Sequence, residues 1–187
     1  SSGAEVLYTR QVALGEAALA RGVPASQVLR APLLKMSIGG FSSSSHASLH
    51  RLKALLQAAP QVELVIENDQ TATAGTLAAM QAFFAAQAQA GLDLGMTFDM
   101  GNWHWQGECP LHAPAVHIAH IGCQGLRGLP AQWVAVPLAD SVAPWRAVLR
   151  ALPADVPHAI EYPLVGDDLV AVTREQVAFI RAAREAA

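Results

Sequence analysis

Lysine is nearly absent from this sequence: Lys35 and Lys53 are the only two among 187 residues, and Lys and Arg together number 12 against 15 Asp and Glu. No basic stripe exists to neutralise a phosphate backbone, which argues against nucleic acid as a partner. Cysteine is as scarce: Cys109 and Cys123 stand alone, too few for a disulfide scaffold. Charged residues make up 14% of the chain and aromatic residues 6%. No apolar run approaches the roughly 18–20 residues needed to cross a bilayer, and no signal-peptide pattern opens the chain, so the expectation is a cytoplasmic protein without membrane contact. What the chain does have is 52% hydrophobic residues at a net charge of −3. That much apolar surface can offset the ordering entropy of folding, and disorder is excluded.

Short apolar runs alternate with longer stretches of 3.6-residue periodicity. Leu33–Ile38 reads as a strand closed by Gly39-Gly40, then Ser42–Ser45 offer N-caps to a helix carrying Leu49, Leu52, Leu55 and Leu56 on one face. Val62–Glu67 is the next strand, followed by a helix from about Thr73 to Ala90 with Gly91 at the position after its end. Leu94–Asp99, Ala115–Ile121 and His158–Tyr162 read as further strands, and Trp145–Leu152 as a helix after the breaker Pro144. Thr173-Arg174-Glu175-Gln176 fits a capping box at the start of a last helix. Upstream, Val12–Arg21 has helical spacing and Glu5–Tyr8 suits a strand stub, while Gln124–Gln132 reads as a Gly-rich loop before a short extended Trp133–Val136. Strand and helix alternating about every thirty residues imply parallel βαβ units in one domain spanning 1–187.

The chemistry gathers at the strand ends. Glu67 closes one strand, Asp99 the next, His120 lies near the end of the third and Glu161 at the end of the fourth. Carboxyl ends of parallel strands collect on one face, where ligands bind. Two Glu, one Asp and one imidazole meeting there repel one another unless a cation neutralises them. One divalent ion, Mn²⁺, Mg²⁺, Co²⁺ or Zn²⁺, suits that oxygen and nitrogen donor set.

Three motifs, Ile66-Glu67-Asn68-Asp69-Gln70-Thr71, Thr97-Phe98-Asp99-Met100-Gly101-Asn102-Trp103 and Ile160-Glu161-Tyr162-Pro163-Leu164, resemble the sugar phosphate isomerase/epimerase family, the xylose isomerase-like TIM barrels. Leu34–Gly39 is similar to that family's fourth strand, and Val136–Asp140 with Trp145-Arg146 to the segment before its last strand. The resemblance covers about residues 33–187 and implies a (β/α)₈ barrel with one divalent metal on Glu67, Asp99, His120 and Glu161. It further implies isomerisation or epimerisation of a sugar or polyol through an enediolate, with Glu67 and Glu161 as acid and base. Lys35, Asn68, Asn102, Trp103 and His104 stand beside the proposed ligands and are candidates for substrate contact. His117, three residues before His120, should face the other way in a strand; His46 and His112 are expected to be unrelated to the site.

The chain departs from the family's pattern twice. Gly122-Cys123 stands where many members carry Lys-Asp, and no phosphate-binding cluster is evident in Gln124–Gln132, so a phosphorylated substrate is not implied. Cys123 reads as a small buried filler in preference to a reactive thiol. A barrel of this type needs about 250 residues; counting back from Glu161, the first two or three strands are expected to be lacking from the 187-residue chain, or supplied by another chain. Association with further copies is left open. Two other readings remain: a non-catalytic, ligand-binding descendant of the barrel, and an endonuclease IV-like phosphodiesterase, which the scarcity of rim histidines disfavours.

Overall fold

The computed structural model describes residues 5–108, 118–130 and 132–185. Six strands form one wholly parallel sheet: β1 Val6–Tyr8, β2 Leu33–Gly39, β3 Glu63–Glu67, β4 Gly95–Asp99, β5 Ile118–Cys123 and β8 His158–Ile160. They stand side by side in chain order. A doubly wound sheet would reverse direction at a switch point; an unreversed order is that of a barrel wall. Among the described residues, β1 and β8 each have a single strand neighbour in this sheet.

Register places the chemistry. Ser37 pairs with Glu67, Glu67 with Thr97, and Thr97 with His120, while Asp99 is level with Gly122 and Gly122 with Ala159. Because side chains alternate across a pleated strand, Lys35, Ser37, Glu67, Thr97, Asp99, His120, Gly122 and Glu161 share the inner face. The residues between them, Met36, Ile38, Leu64, Ile66, Met96, Phe98, Ile121 and Cys123, belong to the buried core that faces the helices.

Helices α1 Glu16–Leu29, α2 Ser48–Gln57, α3 Leu77–Gln89, α4 Met100–Trp105, α5 Trp145–Ala151 and α6 Leu169–Glu185 supply the other half of that core. Leu49 and Leu52 enter from α2, Met80, Phe83 and Phe84 from α3, Trp145, Val148 and Leu149 from α5, and Ile180 from α6. The serine run caps as expected, with Ser42 and Ser45 exchanging a capping box around a 3₁₀ turn at Ser43–Ser45. Gly91 takes φ +68° after α3, a backbone angle that side chains rarely tolerate.

Several boundaries differ from the sequence reading. α1 begins at Glu16, not Val12, because Val12 is in a left-handed turn at φ 58°. α3 starts at Leu77, where the Thr76 hydroxyl accepts the Ala79 N–H at 3.2 Å, leaving the turn at 71–75 outside the helix. α6 starts at Leu169, four residues before the expected capping box. Asp168 Oδ1 accepts the N–H groups of Val170 and Ala171, both at 3.0 Å, and the Thr173 hydroxyl donates to the Leu169 carbonyl inside the helix. The stretch read as a loop contains β6 Gly125–Arg127, which pairs antiparallel with β7 Val134–Val136. His112, His117, Cys109 and the 115–117 start of the expected strand lie outside the described residues. No helix among the described residues is long and apolar enough to cross a membrane.

Candidate metal and substrate site

Asp99 is the centre of the inner face and has no solvent exposure. It ends β4 and caps α4, its Oδ1 accepting the Asn102 N–H at 2.7 Å. Asn68, just past β3, accepts the Asp99 N–H with Oδ1 and donates Nδ2 to the Asp99 carbonyl, both at 2.9 Å. Asn102 closes the loop by donating Nδ2 to the Asn68 carbonyl at 2.9 Å. Two asparagines thus pin the end of β3 to the end of β4 and aim the Asp99 carboxylate. Gln124, directly after β5, brings its Nε2 to 3.4 Å from both Asp99 oxygens.

Glu67 and Glu161 converge on the same place, so that one carboxylate oxygen from each of Glu67, Asp99 and Glu161 lies within 4.8 Å of the others. Lys35 from β2 enters the cluster, with Nζ 2.6 Å from Glu67 Oε1 and 3.0 Å from Glu161 Oε1. Gly122 makes the convergence sterically feasible. A Cβ there would stand 3.0 Å from Asp99 Oδ2 and 3.2 Å from the Glu161 carboxyl carbon, so a larger residue would crowd both acids.

His120 is not one of the group. It is in register with Thr97, whereas Gly122 is level with Asp99, so its Cα starts roughly 6–7 Å down the strand from that level. Glu67 starts at the same depth but has a long flexible side chain. Thr97, between them, keeps a fully buried hydroxyl without a hydrogen-bond partner, an orphan of the kind that an ordered water or ligand atom satisfies.

Electrostatics follow from this crowding. Burial, then the Glu161 charge, pushes the Asp99 carboxyl well above the usual carboxylate range, against the pull of the Asn102 N–H. Burial also raises Glu67, with Lys35 drawing it back. For Lys35, burial favours the neutral amine, but hydrogen bonds and charge from the two glutamates outweigh it and its pKa is raised. Burial lowers His120 below the ordinary imidazole value, opposed by Glu161. The Cys123 thiol faces the helix side and is raised to about 12, first by burial and then by the Asp99 charge, which makes it an inert filler.

Above the acids opens a cavity of about 1020 Å³, lined by Glu67, Asp99 and Glu161 on one side and by Tyr8, Arg10, Asp69, Gln70, Thr71 and Thr73 among others. Of the expected substrate contacts, Asn102 reaches this lining and Lys35 touches two of its carboxylates. Asn68, Trp103 and His104 do not line it. Asn68 is occupied by the Asp99 backbone, Trp103 is fully buried against Phe98, and His104 packs on Trp133 with ring centroids 5.0 Å apart. Sequence reasoning missed Arg10 and the Gln70–Thr73 turn. Only the pairing of β1 beside β2 brings Arg10 to the mouth, and no local pattern signals it. The turn had a legible cue in Asp69-Gln70-Thr71, where Asp69 Oδ1 accepts the Thr71 N–H at 2.7 Å.

Parallel strands in chain order, with acids gathered at their carboxyl ends, define a TIM-barrel type of wall and site. The fold is that of xylose isomerase-like TIM barrel proteins. One such protein from Mycobacterium smegmatis, solved in complex with magnesium, superposes with a TM-score of 0.56 at 16% identity, over 91% of this chain and 68% of that one. A xylose isomerase domain-containing protein from Salmonella typhimurium gives a TM-score of 0.66 at 12% identity, over 95% of this chain and 74% of that one. At such identities the likeness is one of fold. No protein-family model matches the sequence, and no curated protein matches it.

Proposed function

We propose that this protein is a divalent-cation-dependent isomerase or epimerase acting on a small sugar or polyol. The reading rests on one observation above all: three carboxylates from three strands meet within 4.8 Å on the floor of a large open cavity. Gathering three acids, two of them buried, is unfavourable unless cations compensate them, and burial with the Glu161 charge raises the Asp99 pKa. The donors are hard oxygens, which suit Mg²⁺ or Mn²⁺ better than a softer ion. Glu67, Asp99 and Glu161 would hold the ion. When bound, it supplies the positive charge that polarises a carbonyl and favours the enediolate.

The protein's own groups perform the proton chemistry. Glu67 or Glu161 takes the proton from the carbon next to the substrate carbonyl, the C–H electron pair forms the enediolate double bond, and the carbonyl oxygen becomes the oxyanion. A protonated glutamate then returns the proton. In an epimerisation it goes to the opposite face of the same carbon, with the oxyanion collapsing back to the carbonyl. In an isomerisation it goes to the neighbouring carbon, and the hydroxyl on the first carbon gives its proton to the former carbonyl oxygen and becomes the new carbonyl. Arg10, Gln70, Thr71 and Thr73 are positioned to bind hydroxyls across the cavity. The acidic floor suits a small-molecule substrate and disfavours nucleic acid.

Two measurements test the reading. Purified protein should bind about one equivalent of Mg²⁺ or Mn²⁺, and should incorporate solvent deuterium next to the carbonyl of at least one member of a panel of ketopentoses and ketohexoses. Glu161→Gln should slow that exchange by about 10²–10⁴-fold, the usual contribution of a positioned acid or base. Metal binding without exchange on any sugar would favour a ligand-binding descendant of the fold, and absence of both would refute the proposal.

A further inference from the structure

Lys35 is one of only two lysines, and it points into the acid cluster from a strand otherwise made of apolar and small residues. Both of its carboxylate contacts are to Oε1 atoms, Glu67 Oε1 at 2.6 Å and Glu161 Oε1 at 3.0 Å. Each glutamate therefore keeps its second oxygen uncommitted to the ammonium. The charge count points the same way. Glu67, Asp99 and Glu161 carry three negative charges when ionised; a divalent ion cancels two, and Lys35 supplies the third. With the lysine removed, a loaded site would bury a net negative charge, and its two glutamates would lose the tether that holds them at one spacing.

Resting on the cation-site reading above, we infer that Lys35 is a positioning residue of that site. It clamps Glu67 and Glu161 through one oxygen each, leaving the other oxygen of each free of the ammonium and available to an ion held with Asp99, and it would make the loaded site electrically neutral. The opposite arrangement, in which the ammonium fills the ion's own place and must leave, predicts the reverse effect on affinity. Gly122 serves the same geometry: a Cβ there would stand 3.0 Å from Asp99 Oδ2 and 3.2 Å from the Glu161 carboxyl carbon, so a side chain would crowd both acids. Ligand carboxylates are commonly oriented by such partners, whose loss weakens metal binding about 10–100-fold.

The test is calorimetric titration of Mn²⁺ alone into the whole chain and into Lys35→Met, Lys35→Gln and Lys35→Arg, each checked for folding by circular dichroism. Lys35→Met and Lys35→Gln should bind about 10–100-fold more weakly, while Lys35→Arg, which retains the charge and two or more donors, should stay within a few-fold of the unaltered protein. A structural lysine that merely fills space would not be rescued by charge in this way. Equal or tighter binding in both uncharged variants overturns the inference but leaves the cation site standing. Failure of the unaltered protein to bind Mn²⁺ at all overturns both.

Discussion

Asp99 sets charge against environment: it is a carboxyl with no solvent exposure beside a second acid, Glu161. Its carboxyl has a raised pKa because burial and Glu161 disfavour the anion, so the folded state holds the proton to a higher pH than the unfolded state does. As pH rises from the ordinary carboxylate value, 3.8, through the raised folded value, the unfolded chain releases the proton first and the metal-free protein loses stability; above the folded value the loss is complete. Asp99→Asn keeps an oxygen for the Asn102 N–H and removes the charge. It should abolish that loss, raise the metal-free melting temperature at neutral pH by roughly 2–4 °C for each kcal/mol relieved, and weaken Mn²⁺ binding. Thermal melts across pH would sink this account if the variant and the parent fell together. At the neighbouring Gly122 a side chain would crowd Asp99 and Glu161, and an acid at 123 would enter the apolar helix-facing core around Cys123, so Lys-Asp at 122–123 would require the surroundings to shift.

Elements hold these side chains in place by their ends more than by their middles. β3 and β4 deliver Glu67 and Asp99 as last residues, and the Asn68–Asn102 pair fastens the two ends together through three hydrogen bonds to backbone. Helical periodicity located α2, α3, α5 and α6 in the sequence, and α5 begins at Trp145 as expected, yet the starts of α3 and α6 moved, since a cap depends on which side chain folds back onto free N–H groups. At α6 the capping-box spelling at Thr173 competes with Asp168, and Asp168 prevails because it accepts two N–H bonds while Thr173 is already bonded to the Leu169 carbonyl. Asp168→Ala should therefore destabilise the protein by about 1 kcal/mol. Thr173→Ala should cost less, a difference that denaturant titration of the two variants can resolve.

For the molecule as a whole, the proposed cation site would couple ion binding to folding, because Glu67, Asp99 and Glu161 stand at the ends of strands far apart in sequence and meet only in the native sheet. At Mg²⁺ or Mn²⁺ concentrations of about one hundred times the dissociation constant, the folded state should gain about 2.7 kcal/mol. The gain should vanish in Glu67→Gln combined with Asp99→Asn; a chelator-insensitive melting temperature in the parent protein would contradict it. The sequential order of β1 to β5 and β8 matches the parallel βαβ units expected from the strand–helix alternation and the barrel wall that the family resemblance implies. Of the β6–β7 pair, the extended Trp133–Val136 was legible, while Gly125–Arg127 escaped notice because a three-residue strand carries no periodicity to read.

Composition and periodicity were enough for the α/β class, the parallel strands and the two glutamates and aspartate at their ends, because burial on both faces of a parallel strand writes itself as a continuous apolar run that stops where the polar mouth begins. They could not tell which neighbours share a level. His120 and Gly122 differ by two residues on one strand, a spacing that leaves both on the inner face, and only the register against β4 sets Gly122 beside Asp99 and His120 below it. Nor could any local pattern tell that Lys35 bridges residues 32 and 126 positions away. Those outcomes depend on strand registration and side-chain reach across the sheet, which are properties of the packed chain and of no segment taken alone.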